Sequence, residues 1–301
     1  MSDQVWVAGE VLIDLIPDAD KHLAVVGGGP ANTAKALSKL GVKTYFIDGI
    51  SNDEYGQMAK AELLSANVLL DYAQFSNKPT CTAKVTLSSS GSASYEFVIE
   101  GTTTFDFSYQ WLPDPQTHKP SLLHIGTLAT VVEPGASVLL EWAQSVANVA
   151  PIVFDPNIRP AVINNRDEYV KKVEKWVAIS SAVKVSDEDL NWLYPGNVIG
   201  KIVKNWLEVG VQLVVVTLGD KGITAYRENE QISVDAVKVV VADTVGAGDT
   251  VGAVLVEAIL NNGLDKLTKE VLKTMLNRAV KAAAITVSRT GANPPRKEEF
   301  D

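Results

Sequence analysis

Cysteine is almost missing. Cys81 is the single thiol in 301 residues, so no disulfide can form within the chain. Histidine is scarce and scattered, at His22, His118 and His124, and with one cysteine this excludes a zinc cluster. No apolar run reaches the roughly 18 residues that cross a bilayer. Met1 to Gly9 carries an acidic Asp3 and no long apolar stretch, so it does not read as a signal peptide. Basic charge is in the minority: 27 Lys and Arg against 36 Asp and Glu give a formal net charge of −9. That balance argues against nucleic-acid and membrane partners, although backbone dipoles can still hold an anion locally. The Gly-x4-Gly-Lys-Ser/Thr loop of Walker-type ATPases is absent; Gly196 to Ile202, its nearest text, has the wrong spacing and lacks the hydroxyl. A cytoplasmic setting, with Cys81 as inert packing, is the expectation.

Hydrophobic residues make up 46% of the chain, enough for one sizeable domain over residues 1–301. Val5 to Ala8 reads as a first core strand. Leu12 to Ile16 continues around Asp14 until Pro17 and Asp18 break the pattern. Gly27-Gly28-Gly29-Pro30 opens a helix over Ala31 to Leu40, closed by Gly41. From Thr82 to Glu100 the period changes to two. Ala83, Val85 and Leu87, then Tyr95, Phe97 and Ile99, alternate with polar residues about Ser89-Ser90-Gly91-Ser92. This predicts a hairpin with one apolar face, a candidate lid. Beyond Ser121, strands at 122–125, 152–155, 182–185 and 213–217 alternate with helices at 136–148, 167–180 and 198–209. The alternation implies an α/β fold with a mostly parallel sheet, which binds ligands beyond the carboxyl ends of its strands. A further strand is expected over Val237 to Val241, a helix over Thr268 to Ser288, and a loosely held tail from Pro294.

The most informative stretch is Asp243-Thr244-Val245-Gly246-Ala247-Gly248-Asp249-Thr250, just before the apolar run Val251 to Leu260. A Gly-Ala-Gly turn at a helix start offers unpaired amides and the positive end of the dipole, and its small residues let an anion approach. Asp249 in the same turn is placed to take a proton from a hydroxyl attacking a bound phosphate. The plain alternative is an ordinary helix start with a dipole-friendly acid. Two small residues more than a cap needs, and a second acid at Asp243, weigh against it.

This stretch resembles the second signature of the ribokinase-like (PfkB) carbohydrate kinases, and Gly27 to Ala34 through Leu40-Gly41 resembles the first. The resemblance covers nearly the whole chain in the family's order. It implies a three-layer α/β sandwich with a mostly parallel central sheet and a small β-sheet lid formed by about residues 11–17 and 68–105. It implies Asp249 as catalytic base and the amides of Gly246, Ala247 and Gly248 as anion hole. Asp14, Gly28 and Asn32 would hold the sugar. Phe97 would pack over it, unless it only fills the hairpin. Arg159, in Asp155-Pro156-Asn157-Ile158-Arg159-Pro160, would contact sugar or phosphate, unless the segment is a plain turn with a solvated Arg.

For ATP the resemblance points to Lys184, Ser186, Thr217, Gly219, Gly222 and, near adenine, Asn277. Ser186 and Asp189 stand where the family has Asn and Glu, so a Mg²⁺ role for Asp189 departs from the pattern. Asp243, Val245, Ser288 and Gly291 would hold a monovalent cation such as K⁺. Gly-Glu-x-Leu-Ile-Asp and Asp-Pro-Asn-x-Arg-Pro are most similar to the bacterial fructokinases of the family, implying transfer from MgATP to the fructose 6-hydroxyl. A ketodeoxygluconate kinase or a riboside kinase stands beside that reading. A non-catalytic sugar-binding regulator would lack the base or the anion hole, and both are intact. The lid's apolar face also predicts a homodimer.

Overall fold

The computed structural model describes residues 4–18, 21–87, 93–228 and 230–301. Its strands are β1 (Gln4–Ala8), β2 (Leu12–Asp18), β3 (Lys21–Gly27), β4 (Lys43–Ile47), β5 (Gly49–Ser51), β6 (Gln74–Ser76), β7 (Thr82–Leu87) and β8 (Ala93–Val98). Then follow β9 (Leu122–Gly126), β10 (Ile152–Asp155), β11 (Ala182–Ser186), β12 (Leu213–Thr217), β13 (Ile223–Arg227) and β14 (Glu230–Val234). The helices are α1 (Gly29–Lys39), α2 (Glu54–Ser65), α3 (Pro115–His118), α4 (Gly135–Ala147) and α5 (Arg166–Val177). They continue with α6 (Asp187–Leu193), α7 (Ile199–Glu208), α8 (Ala247–Asn262) and α9 (Lys269–Val287).

Eight strands form one sheet in the order β14-β13-β12-β11-β10-β9-β1-β4. Every pairing from β4 to β12 is parallel, and β13 and β14 extend the sheet antiparallel. The period of two sorts side chains onto opposite faces. Val5, Val7, Leu122 and Val153 join a core built with α1, α2, α8 and α9. Trp6, Ala8, Leu123 and Phe154 join a second core built with α4, α5, α6 and α7. These are the three layers expected of a parallel sheet covered on both faces. Order in the sheet reverses between β1 and β9, and such a switch point leaves a crevice at the strands' carboxyl ends.

A separate sheet has the order β3-β2-β7-β8. Here the structure corrects the sequence reading. Pro17 and Asp18 do not stop β2, which pairs with β3 all the way to Asp18↔Lys21. The strand β3 was not expected at all: Lys21, His22 and Leu23 are exposed and show no alternation. The β7–β8 hairpin forms, but its Ser89-Ser90-Gly91-Ser92 connection lies outside the described residues. The strand expected over Val237 to Val241 is not formed. Its valines stand out from the surface, Val240 at 90% exposure. The tail is not loose either: Phe300 packs into the core, while Lys297 and Asp301 ion-pair with Glu257 and Arg278.

Two glycine-led turns aim helices at the crevice. Gly28 caps α1 with φ +106°, and a Cβ there would stand 2.4 Å from the Glu10 carbonyl oxygen. Gly246 caps α8 with φ +80°, and its Cβ would stand 2.8 Å from that of Ala292. At either site an L side chain meets both backbone strain and a clash.

Candidate active site

Asp249 sits in the first turn of α8 and is almost wholly buried. Asn32, in the first turn of α1, donates from Nδ2 to Asp249 Oδ2 at 3.0 Å, joining the two signature segments 217 residues apart. The Asn32 Oδ1 is buried and makes no hydrogen bond. Burial raises the Asp249 pKa to about 6. Lys184, Asn32 and Arg159 work against that shift, and Asp155 adds to it. A buried acid with that value is ionised at neutral pH yet basic enough to take a proton.

Lys184 and Asp155 lie on the face of the sheet that packs against α8. Lys184 Nζ meets Asp155 Oδ2 at 2.7 Å, both side chains being buried. Burial opposes the ammonium charge, but Asp155 and Asp249 outweigh it and raise the Lys184 pKa. The same Nζ lies 3.0 Å from where a Cβ on Gly248 would be, so a fixed positive charge stands beside the Gly246–Gly248 amides. Gly29 is the matching point on α1. A Cβ there would meet Thr127 Oγ1 at 2.8 Å, Asn157 Nδ2 at 3.0 Å and Asp249 Oδ1 at 3.3 Å.

Asp14 is half-buried on β2, and its carboxylate occupies the space a Gly27 Cβ would fill. Burial raises its pKa to about 6, with Arg159 opposing. The register puts Asp14, Ala83 and Phe97 in one row of the small sheet. Phe97 is half-buried and packs on the second core. Arg159 is not simply solvated: its Nη1 donates to both oxygens of Asn157 and to the Ile158 carbonyl.

The remaining expected residues lie at the ends of β11 and β12, at the start of α6, on α9 and in the loop before α8. Ser186 caps α6, accepting from the Asp189 amide at 3.0 Å. Asp189 accepts from the Ile158 amide at 3.0 Å and reaches back to the Ser186 amide, so both carboxylate oxygens serve the chain. Among the described residues no group of three or more His, Cys, Asp or Glu could hold a metal. Each Asp189 oxygen already accepts one amide, which disfavours a direct bond to Mg²⁺. Thr217 ends β12 and Gly219 follows with open space at its Cα. Gly222 is required by packing instead, since a Cβ would stand 2.1 Å from the Val234 carbonyl oxygen. Asn277 lies on the exposed side of α9. Its Nδ2 bonds the Lys273 carbonyl, and it lies ten residues, about 15 Å, from the end of α9. The cation candidates do meet: Asp243 accepts from the amides of Val245 and Gly291 at 3.0 and 2.9 Å. Ser288 follows the last turn of α9 beside them, its hydroxyl bonded to the Ile285 carbonyl.

The sequence reading gave no role of their own to Thr127, Asp155 and Glu10, which lie beside Asp249, against Lys184 and against the turn after β9. Each stands at the carboxyl end of a core strand. That position was the available signal.

A buried carboxylate in the first turn of a helix, with a paired lysine beside it at the sheet's switch point, fits a phosphotransferase that acts on a small alcohol. The pfkB family carbohydrate kinase profile matches residues 2–299, and the chain belongs to that family. It is 32% identical over 298 residues to a fructokinase of Rhizobium leguminosarum bv. trifolii, covering 97% of this chain and 88% of that one. It is 31% identical to a probable fructokinase-4 of Arabidopsis thaliana, covering 97% and 93%. Among solved structures, a fructokinase double mutant of Vibrio cholerae O395, with fructose, ADP and potassium ion bound, superposes with TM-score 0.86 at 26% identity, over 97% and 94% of the chains. A Xylella fastidiosa fructokinase with bound ATP shares the fold at TM-score 0.90 and 23% identity, over the same shares.

Proposed function

We propose that this carbohydrate kinase is an ATP-dependent fructokinase that phosphorylates the 6-hydroxyl of D-fructose. The observation that carries it is the Asn32–Asp249–Lys184 arrangement at the mouth of the Gly246–Gly248 amides. Fructose as the acceptor rests on the relatives' names. In this reading Asp14 and the free Asn32 Oδ1 accept hydrogen bonds from sugar hydroxyls. Asp249 takes the proton of the attacking hydroxyl as its oxygen bonds to the terminal phosphorus and the bridging bond to ADP breaks. The proton then leaves to water. Because the transition state is loose, most of the rate comes from placing the groups and stabilising charge, here by the α8 amides and Lys184.

Mg²⁺ enters with the nucleotide, held by phosphate oxygens and water. The loop joined by Asp243 is the place for a monovalent cation. Thr217 and Gly219 face the nucleotide, and the exposed valines of 237–241 supply the apolar wall that Asn277 does not. The small sheet acts as lid over the sugar, and two lids join a homodimer. The compartment that suits these substrates, and the buried thiol of Cys81, is the cytoplasm. Arg159 turns Nη1 to Asn157 and Ile158 while its charge reaches Asp14 and Asp249, which suits a contact with sugar or phosphate.

A coupled ADP-release assay over fructose, ketodeoxygluconate, ribose, glucose and nucleosides tests the assignment. Fructose is expected to give the highest kcat/KM. A higher value for any other acceptor overturns it.

A further inference from the structure

Thr127 is a conformational oddity at the mouth of the crevice. It follows β9, is buried, and holds φ at +59°, a left-handed setting that a β-branched residue rarely adopts. Such strain persists only where the surroundings over-determine it, and it clusters at functional sites. The surroundings here are explicit. Glu10, wholly buried, accepts the amide of Ala129 at 3.1 Å on Oε2 and also holds that of Leu128. Thr130 Oγ1 donates to the Thr127 carbonyl at 2.6 Å, and Trp176 Nε1 donates to the Thr130 carbonyl at 2.9 Å. Three side chains thus clamp the turn Thr127–Thr130, while the Thr127 hydroxyl itself makes no hydrogen bond among the described residues.

The clamp aims that hydroxyl. Thr127 Oγ1 and Asp249 Oδ1 lie 2.8 and 3.3 Å from one point, the position of a Cβ on Gly29. Only a glycine leaves the gap open, and two hydroxyls of one sugar can span the two oxygens. We propose that Thr127 is a specificity-determining residue. Its hydroxyl bonds a second hydroxyl of the sugar whose 6-hydroxyl Asp249 deprotonates, and Glu10 is the positioning residue that holds it there. The proposal deepens the fructokinase reading and rests on it. A threonine hydroxyl can donate and accept together, so it suits a sugar hydroxyl that also binds elsewhere. A buried polar group left without its partner discriminates strongly against an analogue lacking that partner.

The experiment compares Thr127→Val, Thr127→Ser and Glu10→Gln with wild type. The acceptors are fructose and its singly deoxygenated analogues, with KM for ATP and thermal melting measured in parallel. T127V keeps shape and branching but loses the hydroxyl. It is expected to lose roughly tenfold in kcat/KM for fructose, the worth of one such bond, with KM for ATP unchanged. T127S should retain activity within about threefold on the same scale. Wild type should discriminate against one deoxy analogue, and T127V should not, because the missing bond cannot be lost twice. E10Q should lower discrimination against that same analogue. If T127V keeps wild-type kcat/KM and discrimination, the proposal falls. It falls too if T127V raises both KM values together with a lowered melting temperature, since that is a structural role. Wild type inactive on fructose would sink the fructokinase reading instead, a separate outcome.

Discussion

Asp249 concentrates the chemistry in one carboxylate whose environment works in two directions. Burial lifts its pKa to about 6, and Lys184 and Asn32 limit that rise. The activity prediction is an acid limb in kcat/KM, half-maximal near pH 6. Asp249→Asn should lower kcat by roughly 10²–10⁴, the usual worth of a general base, and abolish the limb. Stability moves the opposite way. An unfolded Asp titrates near 3.9, so between that value and about 6 the folded protein keeps a proton that the unfolded chain has lost. Stability therefore falls as pH rises through the window, by about 3 kcal/mol once complete. Asp249→Asn should melt above wild type at pH 8, with the gain shrinking toward pH 4; equal melting at both pH values would contradict this. Lys184→Met tests the other half of the pair. It strips the counter-charge from Asp155 and Asp249, so the acid limb should move above pH 6. A urea melt should show a loss of about 3–5 kcal/mol, the cost of an uncompensated buried charge.

At the scale of elements, the tail makes the sharpest contrast between composition and packing. Pro294 to Asp301 reads as polar and proline-rich, yet Phe300 is 6% exposed against the core, with the Arg278 guanidinium over its ring. Phe300→Ala should cost about 3 kcal/mol in a urea melt, as large-to-small core changes do, with kcat unchanged. A loss near zero would show a tail that merely rests on the surface. The sequence could not reveal this pinning because its partners, Glu257 and Arg278, are contributed by α8 and α9. What was legible was local. The core strands announce themselves by short apolar runs, and α1 and α8 by glycines before apolar segments. Val237 to Val241 satisfies the same apolar rule and fails, because a strand also needs a neighbour to pair with and this segment has none in the sheet. Strand β3 fails the rule and forms, because pairing with β2 supplies what its pattern lacks. In the site, Asp249, Asn32 and Asp14 were visible from motif and spacing. Thr127 and Glu10 were not, since their roles come from a backbone setting and a hydrogen bond between residues 119 apart.

For the whole molecule, the small sheet packs Ile13 and Val26 into one core and Leu12 and Ala83 into the other, and its exposed apolar residues must be covered or tolerated. Ile16 and Leu23 are direct cross-strand partners, 38% and 55% exposed, in the row family that also carries Asp14 and Phe97. Val98, at the opposite edge strand, is 55% exposed. Val98 is on the other face, but water-facing apolar side chains such as Ile16 and Leu23 are what a second sheet of the same kind would bury. Because the exposed row continues into the row holding Asp14, a partner that covers Leu23 would also brace the strand proposed to hold the sugar. Leu23→Lys should therefore act twice. In sedimentation velocity over a hundredfold range of concentration, wild type should run as a dimer and the variant as a monomer. The variant's KM for fructose should rise several-fold while KM for ATP stays put, given the proposed place of the nucleotide at β12 and α8 rather than at the small sheet. A wild-type protein that stays monomeric at every concentration removes the dimer. A dimer that survives Leu23→Lys moves the interface to another face.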